Sequence, residues 1–447
     1  MKKLLLLLTC LLLIANAAAA EARGGHGKLD PSFGAAGRVV RPVVPGLTGT
    51  TEAAQAPSGR IYVLCRGALF AFRSNGRPDP AFGQDGTVVL ATLLPEVKNP
   101  EFAVDSKGRV VVAGTDRVPE GDDRERPALA RLLPDGRLDP SFGSGGLVIT
   151  DLGLGAAKQP ESIMGYPEGP GVYVQAASIS IDPLDRISLN LSHVVRFEWH
   201  VERDLSVLER RTEWVSARFG PNGEIDRSYD EGGVRTTPPL PDYEHSLPAP
   251  DGSAYAITRA RSGDLYAVRF SPTGNLDSSF GSDGWRRLPD AGETTATVDG
   301  RSRLVILQPA ANNGNRVIAV RRLLPDGRLD GRFGRRGVFR ASFGAGPEVP
   351  MVASDRHGGL FLAAEWARRK SETSRAKGGF LIAHLTAGGE LDRDFGRIET
   401  GFGRNTKAML SSLWVDRRGR PLVAGLIESP LLAGRWGVAI TRYRVPR

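Results

Sequence analysis

The sequence predicts an all-β chain, and three observations carry that prediction. One phrase, built on L-D-x-x-F-G-x-x-G, recurs seven times along the 447 residues. Between its copies, short apolar and β-branched runs alternate with Gly, Asp and Asn turns, and no sustained helical period appears. The first copy has no unit before it, and the last unit stops without a copy. Four short strands per unit, repeated every 50 to 60 residues, is the signature of a propeller blade. The expected architecture is a single β-propeller of seven four-stranded antiparallel blades, its ring closed by the N-terminal strand completing the last blade.

In chain order, the first element reads as an export signal. Lys2 and Lys3 precede an apolar run from Leu4 to Ile14, broken only by Thr9 and Cys10. Ala15-Asn16-Ala17 and Ala18-Ala19-Ala20 then offer the small residues a signal peptidase reads. The run is shorter than the ~20 apolar residues of a membrane span, and no other long apolar stretch follows. Residues 1–20 are expected to be removed and 21–447 to form the propeller, periplasmic, secreted or at the cell surface. Cys10 lies inside the run rather than after it, which argues against lipidation. Its removal leaves Cys65, in a β run, expected as a buried inert thiol.

Composition excludes several classes. Apolar residues at 40% and charged residues at 24% rule out global disorder. The 59 basic and 50 acidic residues give a net charge of +9, mostly from arginines dispersed along the chain. A nucleic-acid binder would gather them on one face, so no nucleic-acid partner is expected. The 55 glycines and 31 prolines are turn chemistry.

The copies of the phrase fall near 29–40, 78–89, 138–149, 225–236, 276–287, 329–340 and 391–400. Their aromatics are Phe33, Phe82, Phe142, Tyr229, Phe280, Phe333 and Phe395, separated by 49, 60, 87, 51, 53 and 62 residues. Each unit reads as an apolar run, a D-x-x-G-R turn, a β run, a loop, a second β run, a D-G turn and the phrase itself. Within the phrase, an acid such as Asp139 is expected to cap the turn it starts. The aromatic, as in Phe142, fills space between neighbouring blades, and glycines such as Gly143 and Gly146 supply backbone shapes other residues resist. One Asp per blade does not assemble the several oxygens a metal needs, so neither metal nor cofactor is expected.

The third unit is the exception. Its 87-residue gap holds a Gly- and Pro-rich insertion at 151–175 and a segment at 192–215 that reads as a long hairpin turning near Arg203-Asp204. Along it Phe197, Trp199 and Val201 alternate with Glu198, His200 and Glu202. Phe197, Trp199, His200 and Trp214 are the candidate interaction residues; the plainer reading packs the aromatic face on the propeller. Counting residues 160–176 as an extra pair of strands gives the alternative, an eight-bladed ring.

No nucleophile elbow, phosphate loop, H-E-x-x-H or C-x-x-C occurs. His357 and His384 fall in repeat positions and read as structural or surface groups. His193 and His200, seven apart, face opposite sides of a strand and do not share a metal.

The pattern D-x-x-G-R plus an apolar run, followed by R-x-x-x-D-G-x-L-D-x-x-F-G-x-x-G, covers nearly the whole chain after residue 20. In this it resembles the delta-60 repeat family of bacterial propeller proteins. Tyr229-Asp230 and Arg397-Ile398 depart from the pattern and blur strand boundaries there. The resemblance implies the propeller and carries over no catalytic residues. The expected function is a non-enzymatic, exported binding scaffold, monomeric, with a protein or glycan partner. The alternatives are a hydrolase or lyase acting on glycans or lactones at the central channel, and a structural component of a cell-surface assembly.

Overall fold

The computed structural model describes residues 27–43, 51–65, 67–94, 97–117, 125–150, 152, 171–202, 205–230, 232–237, 243–260, 263–289, 294–312, 315–341, 350–368, 377–403, 405–430, 432 and 436–446. The expected signal at 1–20, most of the 151–175 insertion and the hairpin turn at 203–204 lie outside them.

The described residues form seven sheets. Blade 1 is Thr51–Gln55, Ile61–Cys65, Ala68–Phe72 and Thr87–Val89. Blade 2 is Val97–Val104, Val110–Arg117, Glu125–Leu132 and Leu147–Ile149. Blade 3 is Gly171–Ile181, Ile187–Glu202, Leu205–Phe219 and Val234–Thr237. Blade 4 is Tyr243–Pro248, Ala254–Arg259, Leu265–Phe270 and Trp285–Leu288. Blade 5 is Thr295–Val298, Leu304–Asn312, Asn315–Leu323 and Val338–Ala341. Blade 6 is Met351–Ser354, Leu360–Arg368, Lys377–Leu385 and Arg397–Gly401. Blade 7 is Lys407–Val415, Pro421–Glu428 and Trp436–Arg444, completed from the other end of the chain by Arg38–Pro42 and Lys28–Leu29. A single 3-10 turn, Leu90–Thr92, is the one helical element among the described residues.

Strands pair antiparallel in sequence order within every blade. The first strand of each blade touches the first strand of the next all the way round, blade 7 to blade 1 included, so these strands are innermost and line the axis. The turns between first and second strands therefore share one face of the ring with the D-G turns and the L-D-x-x-F-G phrases. We call it the turn face. The hairpins between second and third strands share the opposite face with the blade-to-blade links.

Middle strands are apolar on both sides because both sides are buried. In Ile61–Cys65, Ile61, Val63 and Cys65 pack with Ala424, Leu426, Val438 and Ile440 of blade 7. Tyr62 and Leu64 pack with Val110, Val112, Ala130 and Leu132 of blade 2. Cys65 is the buried thiol expected.

Closure is by the N-terminal strand. Arg38–Pro42 runs antiparallel to Trp436–Arg444, with Val39 opposite Ile440 and Pro42 opposite Gly437. The eight-bladed alternative is not realised. Residues 171–176, counted in it as part of an extra strand pair, are the start of the innermost strand of blade 3, in register from Gly171–Phe197 to Ile181–Ile187. The two strands after it are 16 and 15 residues long, and beyond Phe197 they pair only with each other.

Candidate functional site

The polar residues of the repeat converge on the turn face, and most of them hold blade to blade. The acid that opens the first turn is an Asx cap: Asp105 Oδ1 accepts hydrogen bonds from the Lys107 and Arg109 amides at 2.9 Å, and Asp416 does the same for Arg418 and Arg420. The acid of the phrase caps its own turn in the same way. Asp139 Oδ1 accepts from the amide and hydroxyl of Ser141 at 3.0 and 2.7 Å.

The other carboxylate oxygen takes an arginine that comes eight residues earlier, at the end of the third strand. Arg131 Nε donates to Asp139 at 2.8 Å, Arg218 to Asp226 at 2.7 Å and Arg322 to Asp330 at 2.9 Å. In blade 7 the partner is supplied from the far end of the chain: Arg442 and Arg420 both donate to Asp30 at 3.0 Å. Burial raises the Asp30 carboxyl, but the Ser32 hydroxyl and amide and the two arginines outweigh it and bring it down to about 2. Each guanidinium also lies over the aromatic of its phrase, Arg131 at 4.6 Å from the Phe142 centroid and Arg442 at 4.5 Å from Phe33.

The same arginines reach across the seam. Arg218 donates to the Pro272 carbonyl of blade 4 at 2.9 Å, Arg322 to Ala387 of blade 6 at 3.0 Å and Arg442 to Ser74 of blade 1 at 2.6 Å. The glycine after the aromatic adds a second crossing bond, as Gly143 donates to the Asn222 carbonyl at 2.9 Å. Gly223 shows why the D-G turn needs its glycine. Its φ is +85°, and a Cβ there would lie 2.9 Å from the Phe142 ring of the preceding blade. Asp230, the departure from Phe-Gly, keeps the device: it adopts φ +43° and donates to the Thr273 carbonyl.

Three blades vary the arrangement. In blade 4 Arg269 pairs with Asp277 but turns its guanidinium to Asp251 at 2.7 Å and Ser253 at 3.1 Å in its own first turn, and lies over Tyr255. Blade 1 has Ala71 where the third-strand arginine belongs, and Arg60 from its first turn pairs with Asp79 instead, at 2.5 Å. Blade 6 has His384, held between Asp392 at 2.8 Å and Asp355 at 3.0 Å and stacked on Phe361. Burial lowers the imidazole's pKa and the two carboxylates raise it, with a net rise.

On this face a cleft of about 450 Å³ lies at the seam where blade 7 meets blade 1. Its walls are the Asp416–Arg420 turn, the Ala56–Gly59 turn and Ser74-Asn75. Arg420 and Arg442 are tied to Asp416 and Asp30, while Arg417 and Arg418 are exposed and hold no ion pair among the described residues.

A second polar feature lies on the axis. Glu52 and Glu101 stand on the innermost strands of blades 1 and 2, and the Phe102 amide donates to Glu52 at 3.3 Å. Burial, with the charge of Glu101, pushes Glu52 up to about 8; burial pushes Glu101 to about 6. No group of three or more His, Cys, Asp or Glu residues that could hold a metal occurs among the described residues.

Of the residues the sequence singled out, Phe197, Trp199 and His200 lie on the ribbon of blade 3, opposite Arg210, Leu208 and Val207. Trp214 lies at its base, opposite Thr237 of the fourth strand. The register does not bring Trp214 beside the other three. The cleft and the channel acids were missed. The arginine clasps left a readable trace, a basic residue eight positions before the acid in blades 2 to 6.

Fold and site together define a seven-bladed β-propeller stapled by buried Arg–Asp pairs. A family model described as "Domain of unknown function (DUF5122) beta-propeller" matches residues 108–142, from the first turn of blade 2 to Phe142. No curated protein matches the chain. Among solved structures, it is similar to an unknown-function protein from Dyadobacter fermentans DSM 18053 (10% identity, 92% of this chain and 100% of that one, TM-score 0.39). A polysaccharide lyase, Uly1, aligns at 10% identity over 96% of this chain and 95% of its own, TM-score 0.45. A glucose dehydrogenase aligns at 14% over 90% and 99%, TM-score 0.37. At these values the likenesses carry no functional argument.

Proposed function

We propose that the chain is an exported, non-enzymatic binding propeller of the delta-60 repeat type. One observation carries the reading: the acids, arginines and aromatics that recur from blade to blade are spent on the ring, with partners inside the repeat. What remains unspent is the cleft at the closing seam and the ribbon of blade 3, both suited to holding a partner. Export rests on the Lys2 to Ala20 pattern. Incubating the purified chain with a panel of glycans and lactones, with and without chelator, is expected to give binding without turnover. Turnover at an enzymatic rate would sink the reading. Deleting Val194–Arg211 tests the ribbon: partner capture from an envelope extract is expected to fall, and undiminished capture removes the ribbon from the proposal.

A channel hydrolase or lyase is the second reading, favoured by the Glu52–Glu101 pair, in which one carboxyl keeps its proton near neutral pH. Its test is Glu52→Gln. An enzyme using that proton would lose activity on the panel. If Glu52 is a buried group without chemistry, the variant instead gains stability over wild type progressively from about pH 4.5 to about pH 8 and no further above it, because across that range the wild-type folded state must hold a proton that the unfolded chain has released.

A further inference from the structure

We propose that the cleft between blades 7 and 1 binds an oxyanion, a carboxylate, sulfate or phosphate group carried on a polar body of about sugar size. This deepens the binding reading and rests on it. The repeat supplies the internal comparison. In blades 2, 3, 5, 6 and 7 the turn between first and second strands opens on an aspartate, Asp105, Asp182, Asp299, Asp355 and Asp416, and in blade 4, where Ala249 opens the turn, Asp251 stands two residues later. In blade 1 that turn reads Ala56-Pro57-Ser58-Gly59-Arg60 and carries none. The D-G turn of blade 1 carries no acid either. Asn75 stands where blades 2 and 5 have Asp135 and Asp326 and blades 3, 4 and 6 have Asn222, Thr273 and Gly388. Blade 1 therefore brings no acid to this seam from either of its turns.

Blade 7 adds charge of the opposite sign. Its turn is Asp416-Arg417-Arg418-Gly419-Arg420, and it is the one first turn of the seven with two arginines between its acid and its glycine. Asp416 and Asp30 are consumed by Arg420 and Arg442, as shown above. That leaves the positive charge of Arg417 and Arg418 uncompensated at the mouth of a cleft whose other walls are Ser58, Ser74, Asn75 and Gln55. Guanidinium forks match the paired oxygens of carboxylate, sulfate and phosphate, and a wall of hydroxyls and amides matches a hydroxylated body better than an apolar one. The cleft volume is within the usual range for small-ligand sites.

The test uses the full mature chain and calorimetric titration at low and moderate salt. The probes are a sulfated disaccharide, a digalacturonate, inorganic phosphate and a neutral disaccharide. Binding of at least one anion, weakening with salt, is expected, with the neutral sugar binding more weakly. The first two probes against phosphate tell a saccharide source from a free oxyanion. Arg417→Gln with Arg418→Gln is expected to lower affinity by at least about tenfold. Asn75→Asp, which restores the acid of blades 2 and 5 and keeps the Arg77 amide bond of Asn75, is expected to lower it as well. Arg137→Gln, on the same face of blade 2 and already paired with Asp135, is expected to leave it unchanged. Equal affinity in wild type and the double variant, no binding of any anion at millimolar concentration, or preference for the neutral sugar would each overturn the proposal. Turnover of a bound anion would instead overturn the non-enzymatic reading and leave the oxyanion site standing.

Discussion

Asp330 shows what one residue of the repeat does. Its Oδ2 takes Arg322 and Arg303, both at 2.9 Å, and its Oδ1 caps the turn through the Arg332 amide. Arg322 is 2% exposed. Removing one partner of a buried pair costs more than the pair contributes, because the remaining charge stays desolvated. Asp330→Ala is therefore expected to cost about 3–5 kcal/mol in denaturant unfolding. An exposed pair of the same chemistry, Arg328 with Asp326, is expected to cost under about 1 kcal/mol when broken. A loss at Asp330 no larger than at Asp326 would contradict the clasp. At this scale the sequence was partly legible. The acid's capping role, the aromatic between blades and the glycine backbones were all readable from Asp139, Phe142 and Gly143. The arginine was visible in the pattern but its role was not. A basic residue reads as solvated surface until the fold places an acid and a ring beneath it.

The blade is the next scale, and blade 6 differs from its neighbours by one side chain. Where blades 3, 5 and 7 send an arginine across to the next blade's carbonyl, His384 sits between Asp355 and Asp392. A charged imidazole donates to both carboxylates, while a neutral one has a single N–H and turns a lone pair toward the other. Its folded pKa is raised above 6.5, so its contribution to stability is complete below that value and is lost as pH rises through the higher folded value. Unfolding free energy is expected to fall across that rise. His384→Gln should remove this step of the pH profile; an unchanged step would assign it elsewhere. Blade 3 makes the complementary point about legibility. The long hairpin was readable from the alternation at Phe197 to Glu202, but its base was not. Gly171–Val174, read as insertion, joins the ribbon as a third strand because pairing partners are set by the sheet rather than by local composition.

For the whole molecule, closure matters most. Residues 28–42 pair with residues 395 to 416 positions away, and Asp30, buried at 3% exposure, neutralises Arg442. A chain beginning at Thr51 would leave the edge of Trp436–Arg444 unpaired and Arg442 buried without its acid. It is expected to be markedly less stable and to associate through that edge, as read by thermal unfolding and sedimentation. A monomer of unchanged stability would show that closure is not what holds the ring. By itself the sequence determined the strand content and the unit length, because each rests on a pattern that repeats locally; it pointed to the closing strand and to seven blades from the two ends and the copy count, and left an eight-bladed ring open. Only the tertiary structure decided where the acids and arginines meet, which seam kept free charge, and that Glu52 and Glu101 face one axis. Those are relations between residues far apart in the chain, and a propeller fixes them by rotating identical units into contact, a geometry that no single unit's sequence contains.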